Sequence, residues 1–246
     1  MSVRLTFLGS GDAFGSGGRM NACFLVEADS SRFLIDCGAS SLIAMRRHEV
    51  DPNDIDSILV SHLHGDHFGG IPFLVLDSQF VSDRTDPLTV AGPPGTAERV
   101  RQAMEVLFPG SSEVDHGFEL DFVEMQPGSE HDVGTVRVTP HLVSHPSGAP
   151  PFALRIEVAG KVIAYTGDTE WTESLLDAGR DADLLIAEAY FYDEQVGHHL
   201  DYRTLAGRSD EIGAKRLVIT HMSDEMLARR DSLDCEFAED GKTIEL

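Results

Sequence analysis

The sequence predicts an α/β fold, because short β-rich segments alternate with segments of helical character along the chain. The β-rich segments are rich in Val, Ile, Leu and Phe and are bordered by Gly, Asp or Pro, which is typical of strands. Several end directly on polar residues, as at Ser61-His62, Gly167-Asp168 and Thr220-His221. Ligand sites in α/β sheets form just beyond the carboxyl ends of strands, so we expect these ends to meet at one centre.

The individual elements follow from the same pattern. Strands are predicted at residues 3–8, 23–27, 32–36, 57–60, 88–91, 135–139, 152–158, 161–165, 184–188 and 216–220. Helices are predicted at residues 40–48, 72–81, 96–108, 171–178, 202–212 and 224–230, with Pro72 and Pro94 where first-turn prolines are tolerated. The 246 residues, 41% of them hydrophobic, suit one domain over residues 1–246 with a substantial core.

The charge balance bears on possible partners. Asp and Glu number 42 against 19 Lys and Arg, which gives a formal net charge of −23. Binding of long nucleic acids rests largely on Lys and Arg that neutralise phosphates, and a strongly acidic surface repels such a polymer. We therefore expect a small-molecule substrate and regard long RNA or DNA as a disfavoured partner.

Cysteine usage and hydropathy bear on the compartment. Cys23, Cys37 and Cys235 are odd in number and widely spaced, and no CxxC pair exists. This predicts free thiols in a reducing cytoplasm. The amino terminus reads as a strand rather than a signal peptide, and no apolar run approaches the ~18–20 residues of a membrane span, so no membrane partner is expected.

The strongest chemical signal is the run His62-Leu63-His64-Gly65-Asp66-His67, with three imidazoles and one carboxylate in six residues. A helix would scatter these groups, whereas a tight turn opened by Gly65 folds them around a small volume. His62 and His64 can then face one metal ion, and Asp66 and His67 a second. Zinc accepts such ligands, and so do manganese and iron. Two ions about 3.5–4 Å apart can hold a bridging hydroxide and clamp a substrate.

A pair of ions needs about seven ligands, so more His or Asp is expected at other strand ends. Asp168 closes an apolar strand, where an aspartate can bridge both ions, and His221 does the same one strand later. His145 precedes a loop rich in Pro and Gly. His141 would share a strand face with His145 and is its rival as a ligand.

The motifs SHLHGDHFGG, VSHPSGAPPFALRI, VIAYTGDT and VITHMS resemble those of the metallo-β-lactamase-fold hydrolases. The segments LTFLGSGDAFGSGGRMNACFLVE and FLIDCG are similar to the ribonuclease Z-like phosphodiesterase branch of that family. The resemblance covers nearly the whole chain. It implies a four-layer αβ/βα sandwich, in which two β-sheets flanked by helices hold the metals in the cleft between them.

The resemblance also implies a ligand set and cofactors. One ion would be bound by His62, His64 and His145, the other by Asp66, His67 and His221, with Asp168 bridging the two. Asp36 in FLIDCG would orient the metal-binding loop. The implied cofactors are two divalent metal ions, zinc first and manganese or iron as alternatives.

Two further features concern catalysis and substrate binding. A histidine in the region of GHHLDYRTL donates a proton to the leaving group in the ribonuclease Z-like branch, and His199 fits that position better than His198. Asp66 and His199 are thus the candidate catalytic residues. Arg19 and Asn21 follow a glycine-rich run and are candidates to face an anionic substrate, although the run is not a P-loop.

One departure from the family pattern bears on the substrate. Bacterial tRNA-processing members insert a long basic arm between the third metal histidine and the bridging aspartate. Here His145 and Asp168 are 23 positions apart (168 minus 145), which leaves room for one hairpin.

The resulting prediction is a dinuclear metal-dependent phosphodiesterase for a small or cyclic phosphodiester. The alternative is a carboxylic ester, thioester or lactone hydrolase with the same metal centre. A tRNA 3′-processing endoribonuclease and a non-catalytic metal-binding sensor are less favoured. Because relatives often dimerise, the resemblance also suggests a homodimer.

Overall fold

The computed structural model describes residues 2–29 and 31–246. Its strands are β1 (Arg4–Gly9), β2 (Cys23–Ala28), β3 (Ser31–Ile35), β4 (Ser57–Leu59), β5 (Leu88–Gly92), β6 (Leu120–Glu124), β7 (His131–Val133), β8 (Val136–Leu142), β9 (Phe152–Val158), β10 (Lys161–Tyr165), β11 (Leu184–Glu188), β12 (Leu217–Thr220), β13 (Glu236–Phe237) and β14 (Thr243–Glu245). Its α-helices are α1 (Ser41–Arg47), α2 (Gly65–Phe68), α3 (Ile71–Phe80), α4 (Thr96–Leu107), α5 (Ser174–Gly179), α6 (Tyr202–Ile212) and α7 (Asp224–Ala228).

The strands form two seven-stranded sheets. The first has the order β14-β1-β2-β3-β4-β5-β6 and the second the order β13-β12-β11-β10-β9-β8-β7. Each sheet combines antiparallel hairpins with parallel strands, which helices connect. The carboxyl ends of β4 in the first sheet and of β10 and β12 in the second carry the predicted metal ligands.

Alternation along the strands produces the layers. In β2, Phe24 and Val26 face the core between the sheets, whereas Cys23 and Leu25 face a second core under α1, α3 and α4. β11 behaves likewise: its side chains alternate between the inter-sheet core and a third core under α6. Because both faces of the central strands are buried, they read as continuous apolar runs. The predicted α/β class and the four-layer sandwich are thus confirmed.

The predicted strands and helices have counterparts within a few residues, and the differences have simple causes. The short strands β7, β13 and β14 were not predicted, because two or three residues leave too little pattern to recognise. β6 was also missed, since it has only partly buried or exposed side chains at a sheet edge. Helix α5 begins at Ser174 rather than at Trp171.

Two expectations about thiols and membranes can be compared with the described residues. Cys23 and Cys37 are buried free thiols, and Cys235 is a partly exposed one. In the part of the chain that the structure describes, the helices are too short or too polar to cross a bilayer.

Candidate metal centre

The run His62 to His67 begins shortly after β4 and extends into α2. His62 follows β4 closely, and His64 has an extended backbone immediately before α2 (φ −88°, ψ 151°). Asp66 and His67 lie on α2, which is a single helical turn, so the prediction of a non-helical turn is wrong at this point. The helix does not scatter the ligands, because only two of the four lie on it and the other two precede it on extended chain.

Two glycines let this turn pack against the loop after β3. A Cβ atom on Gly38 would lie 2.1 Å from the Asp66 carbonyl oxygen, and one on Gly70 would lie 2.2 Å from the Gly38 oxygen. The contact is sealed by backbone hydrogen bonds from Cys37 to the His67 carbonyl and from Gly70 to the Cys37 carbonyl. Backbones can approach this closely only where no side chain intervenes.

Asp36 lies directly behind this turn. It is fully buried and has a left-handed backbone (φ 57°), which is uncommon for a residue other than glycine and is typical of functional sites. Its carboxylate accepts hydrogen bonds from the Ser61 amide (2.7 Å) and hydroxyl (2.8 Å), and Oδ2 lies 2.6 Å from His67 Nδ1. Such a carboxylate fixes the ring orientation of a ligating histidine. The role that the resemblance implies for Asp36, which is to orient the metal-binding loop, is compatible with this contact and stays a prediction.

The remaining candidate ligands come from the second sheet. His145 lies in the loop after β8, and its Nδ1 is 2.8 Å from the His198 carbonyl oxygen. Asp168 follows β10 through Gly167 (φ 58°), where a Cβ atom would lie 2.7 Å from the Phe152 carbonyl oxygen. His221 follows β12 and, like Asp36, has a left-handed backbone (φ 56°). The three strand ends that were predicted to meet, at His62, Asp168 and His221, do lie together, since Asp168 Oδ2 is 3.8 Å from His62 Nε2 and 3.4 Å from His221 Nε2.

The seven side chains form two adjacent groups of candidate ligand atoms, each group lying within 4.8 Å. The first group is His62, His64 and His145, and the second is Asp66, His67, Asp168 and His221. Oδ2 of Asp168 lies 3.4 Å from the Nε2 atoms of both His67 and His221. It also lies 3.8 Å from His62 Nε2 and 3.9 Å from His145 Nε2. One carboxylate oxygen therefore faces both groups, as a bridging ligand must.

The donor set fits divalent metal ions. In the second group the Nε2 atoms of His67 and His221 each lie 3.2 Å from Asp66 Oδ2. These spacings match the edges of a tetrahedron with metal–ligand bonds of about 2.0–2.2 Å, which are roughly 3.3–3.6 Å long. Among the described residues, the buried Nε2 atoms of His62 and His67 have no hydrogen-bond partner. Buried polar atoms normally have one, and an ion would satisfy them.

The protonation states of the two groups differ. Burial lowers the pKa of His62 well below its usual range and that of His145 to about 4, so both imidazoles are neutral and able to bind a metal. Burial also acts against the charge of His221, but Asp168 and Asp66 outweigh it and raise the pKa of His221 to about 9. His67 responds in the same direction to the same carboxylates. Metal binding at the second group would therefore displace protons.

Behind the centre, a second carboxylate orients His199. Glu188 ends β11 and is fully buried, and its Oε2 lies 2.9 Å from His199 Nδ1, while its Oε1 accepts a hydrogen bond from the Thr169 amide. Burial raises the pKa of Glu188 to about 7. Burial lowers the pKa of His199, but the hydrogen bond and charge of Glu188 outweigh it and raise this pKa above its usual value. Glu188 and His199 thus hold a proton between them at the edge of the candidate metal centre.

Sequence reasoning missed Glu188, although a signal was present. The strand at residues 184–188 was predicted, and it ends on a carboxylate just as the next strand inward ends near Asp168. What the sequence did not reveal is that the loop after β11 folds back 11 residues later to place His199 beside that carboxylate.

Four weaker candidates lie elsewhere. His198 is exposed, and only its carbonyl faces His145; His141 lies on β8 outside both ligand groups. Arg19 donates a hydrogen bond from Nη1 to the Ala238 carbonyl (2.9 Å) rather than facing the centre, because the chain turns away after the glycine-rich run. The Asn21 amide is engaged with backbone groups of Asp12 and Ser40.

A cavity of about 270 Å³ opens over the metal-ligand cluster. Candidate ligands and His199 contribute to its walls, together with two aromatic side chains that sequence reasoning did not single out. The lining residues are Ala13, Phe14, His64, Asp66, His145, Asp168, Tyr190, His199 and His221. A volume just below the range of ordinary ligand pockets suits a compact ligand.

Comparison with known proteins agrees with this geometry. The family described as anti-Pycsar protein Apyc1 matches residues 3–244. The chain is 31% identical to ribonuclease Z of Methanosarcina acetivorans, with 90% of this chain and 88% of that protein aligned, and 29% identical to ribonuclease Z of Haloferax volcanii, with 100% and 96% aligned. The short form of human tRNase Z superposes with a TM-score of 0.81 at 25% identity over 98% of each chain. The fold is also that of the metallo-beta-lactamase fold protein YhfI of Bacillus subtilis (TM-score 0.79, 24% identity, 100% and 99% covered).

These relatives correct one expectation. Several are named as ribonucleases, so the prediction that long nucleic acid is a disfavoured partner is wrong. It rested on net charge, which sums over the whole surface and says little about the local potential at a binding site. The predicted enzyme class is confirmed by the same relatives. The chain belongs to the anti-Pycsar protein Apyc1 family, and it is a metallo-β-lactamase-fold, ribonuclease Z-like, metal-dependent phosphoric diester hydrolase.

Proposed function

We propose that this protein hydrolyses a small or cyclic phosphodiester at a centre of two divalent metal ions, zinc first and manganese or iron as alternatives. The observation that carries the proposal is the position of Asp168 Oδ2 between the two ligand groups, on the wall of a cavity of only about 270 Å³. A dinuclear centre suits phosphoryl transfer, and the small cavity suits a compact substrate.

Each group of side chains has a distinct task in this proposal. His62, His64 and His145 would hold one ion, Asp66, His67 and His221 the other, and Asp168 both. When bound, such ions supply a nucleophilic water at neutral pH and offset charge on the phosphoryl oxygens.

His199 would donate a proton to the leaving oxygen. Its Nδ1 is engaged by Glu188, which leaves Nε2 to face the substrate. Glu188 fixes the ring and holds the proton on it, as a carboxylate does for a histidine that acts as an acid. Asp36 supports the centre from behind through His67, because its carboxylate fixes the orientation of that ring.

A second candidate function is 3′-processing of precursor tRNA. It is favoured by the relatives named ribonuclease Z, which align with about nine-tenths or more of this chain. The metal centre would act in the same way on either substrate. The two functions therefore differ in what surrounds the centre, and only a comparison of substrates separates them.

The test is an activity panel on protein reconstituted separately with zinc, manganese or iron, with metal-free protein in chelator as the control. The panel holds a 3′,5′-cyclic nucleotide, bis(p-nitrophenyl) phosphate, a precursor tRNA, a lactone and a thioester. We expect the highest kcat/KM on the cyclic nucleotide. Cleavage of precursor tRNA without turnover of the cyclic nucleotide would establish the second function instead. Activity confined to the lactone or thioester would overturn both.

A further inference from the structure

We propose that Phe14 and Tyr190 form an aromatic clamp that holds a planar heterocycle of the substrate, such as a nucleobase, beside the metal centre. The inference rests on the proposed function, because it concerns the substrate of the same site. Both side chains line the cavity that also contains Asp168 and His199. A substrate whose phosphodiester lies at the candidate ligands would therefore have its attached group between or against these rings.

Phe14 is the more telling of the two residues. Its side chain is 85% exposed, although it lies on the wall of the cavity. A single exposed phenylalanine elsewhere on a protein needs no explanation. Here the exposed ring adjoins a site for an organic phosphodiester, so a bound ring would cover apolar surface that is otherwise left in water.

The loop that carries Phe14 is held in place rather than free. Asp12 is fully buried, and its Oδ1 accepts hydrogen bonds from the amides of Phe14 (3.2 Å) and Ser16 (2.9 Å). The Gly17 amide donates to Asp224 Oδ1 (2.9 Å) at the start of α7. Because the backbone is fixed on both sides of Phe14, the ring is presented at low entropic cost on binding.

Tyr190 is also fixed, and it connects to the catalytic wall. Its ring centroid lies 5.0 Å from that of His199 and 5.9 Å from that of His221. Its backbone amide donates to the Leu200 carbonyl, and its carbonyl accepts from the Ser223 amide. The ring is thus held in a fixed position against the two histidines, at the wall of the cavity.

The chemistry of such a clamp defines what it recognises. Stacking of a base on an aromatic side chain is tolerant of base identity, because every base has a π-face. The clamp therefore distinguishes substrates with a planar ring from those without one, and it does not select among bases. Loss of one such contact weakens binding by roughly 5- to 150-fold.

The experiment compares two substrates that differ only in the ring. One is 3′,5′-cyclic AMP, and the other is the 3′,5′-cyclic phosphate of 1-deoxyribose, which lacks the base. For Phe14→Ala we expect the ratio of kcat/KM between them to fall by roughly 5- to 150-fold. Phe14→Trp should restore the ratio, since it restores a stacking surface. Calorimetric titration with AMP should show weaker binding to Phe14→Ala than to the wild type or to Phe14→Trp.

The matched control is Phe80→Ala, which removes a phenylalanine that is 65% exposed at the end of α3 and should leave both rates unchanged. An unchanged ratio of kcat/KM between the two substrates in Phe14→Ala overturns the clamp. Failure of the wild-type protein to hydrolyse either substrate would instead contradict the proposed function. The two failures are therefore distinguishable.

Discussion

Replacement of Glu188 by Gln should shift the alkaline loss of activity to lower pH than in the wild type. Glu188 is fully buried and contacts Nδ1 of His199 at 2.9 Å. Gln is nearly isosteric, so its Oε1 still accepts from the Thr169 amide, but it carries no charge. Its amide donates to His199 Nδ1 and thereby stabilises the neutral ring. The proton that His199 would give to the leaving group in the proposed mechanism is then held less firmly.

The size of the effect follows from the lost contact. A hydrogen bond to a charged group contributes about 1.5–3 kcal/mol, which corresponds to roughly 10- to 100-fold in the population of the protonated ring. Glu188 raises the pKa of His199, so the wild-type acid is present at low pH and is lost as the pH rises through that raised pKa. Without the carboxylate, His199 loses its proton at lower pH. On the alkaline side, kcat/KM of the variant should therefore be roughly 10- to 100-fold lower than that of the wild type, and the difference should narrow as the pH is lowered.

The assay is a kcat/KM profile against pH for wild type, Glu188→Gln and His199→Ala on two substrates. A cyclic nucleotide has an alkoxide leaving group that needs a proton, whereas bis(p-nitrophenyl) phosphate releases a phenolate that does not. We expect the pH-dependent loss on the cyclic nucleotide alone. His199→Ala should be slower by about 10²–10⁴-fold on it wherever the wild-type imidazole is protonated, the usual contribution of a general acid, and this gap should narrow above the raised pKa of His199.

Two results would refute this reasoning. An equal loss at every pH in Glu188→Gln would mean that the carboxylate only supports the fold. An equal loss on both substrates would mean that His199 does not protonate the leaving group. Metal content and the circular dichroism spectrum of each variant serve as controls for an intact centre and fold.

Two further predictions concern the construction of the metal centre. Asp168→Ala should lose most of its bound metal, because Oδ2 of Asp168 faces both ligand groups. Elemental analysis by mass spectrometry measures the metal content, and Asp177→Ala on the surface of α5 is the control that should keep its metal. An unchanged metal content in Asp168→Ala would disprove bridging. Gly38→Ala should cost about 1–3 kcal/mol in denaturant unfolding, since its Cβ atom would lie 2.1 Å from the Asp66 carbonyl, and should weaken metal binding. Gly65→Ala, with open space around its Cβ position, is the control; equal stability of the two variants would show that the turn shifts without cost.

The sequence predicted the α/β class and the meeting of the strand ends because both depend on local pattern. Ile58 to Val60, for example, form an apolar run that ends on Ser61 and His62. A buried strand followed by polar ligands is a local pattern that can be recognised in the sequence. The same holds for Asp168, which follows an equally apolar strand. Such features need no knowledge of distant contacts, so they survive in the sequence alone.

The parts that were missed depend on distant contacts. Glu188 acquires its role only through His199, which a loop returns to it, and no spacing rule describes that loop. Arg19 has a suitable charge near a glycine-rich run, but its guanidinium turns to the carbonyl of Ala238, a residue 219 positions away. The net charge misled for a related reason, since it describes the whole surface rather than the site. Residue type indicates which chemistry a side chain can perform, whereas tertiary contacts decide where that side chain points.

The location of the centre between the sheets links metal binding to the stability of the whole fold. His62, His64, Asp66 and His67 come from the first sheet, and His145, Asp168 and His221 from the second. The buried carboxylates of the second group raise the pKa values of His67 and His221, so protons on these two imidazoles balance the carboxylate charge when no ion is bound. Ions that replaced those protons would contact residues from both sheets at once, and a preformed site of this kind is absent from the unfolded chain. The binding energy of such ions would therefore add to the stability of the sandwich, and the candidate ligands would then also hold its two halves together.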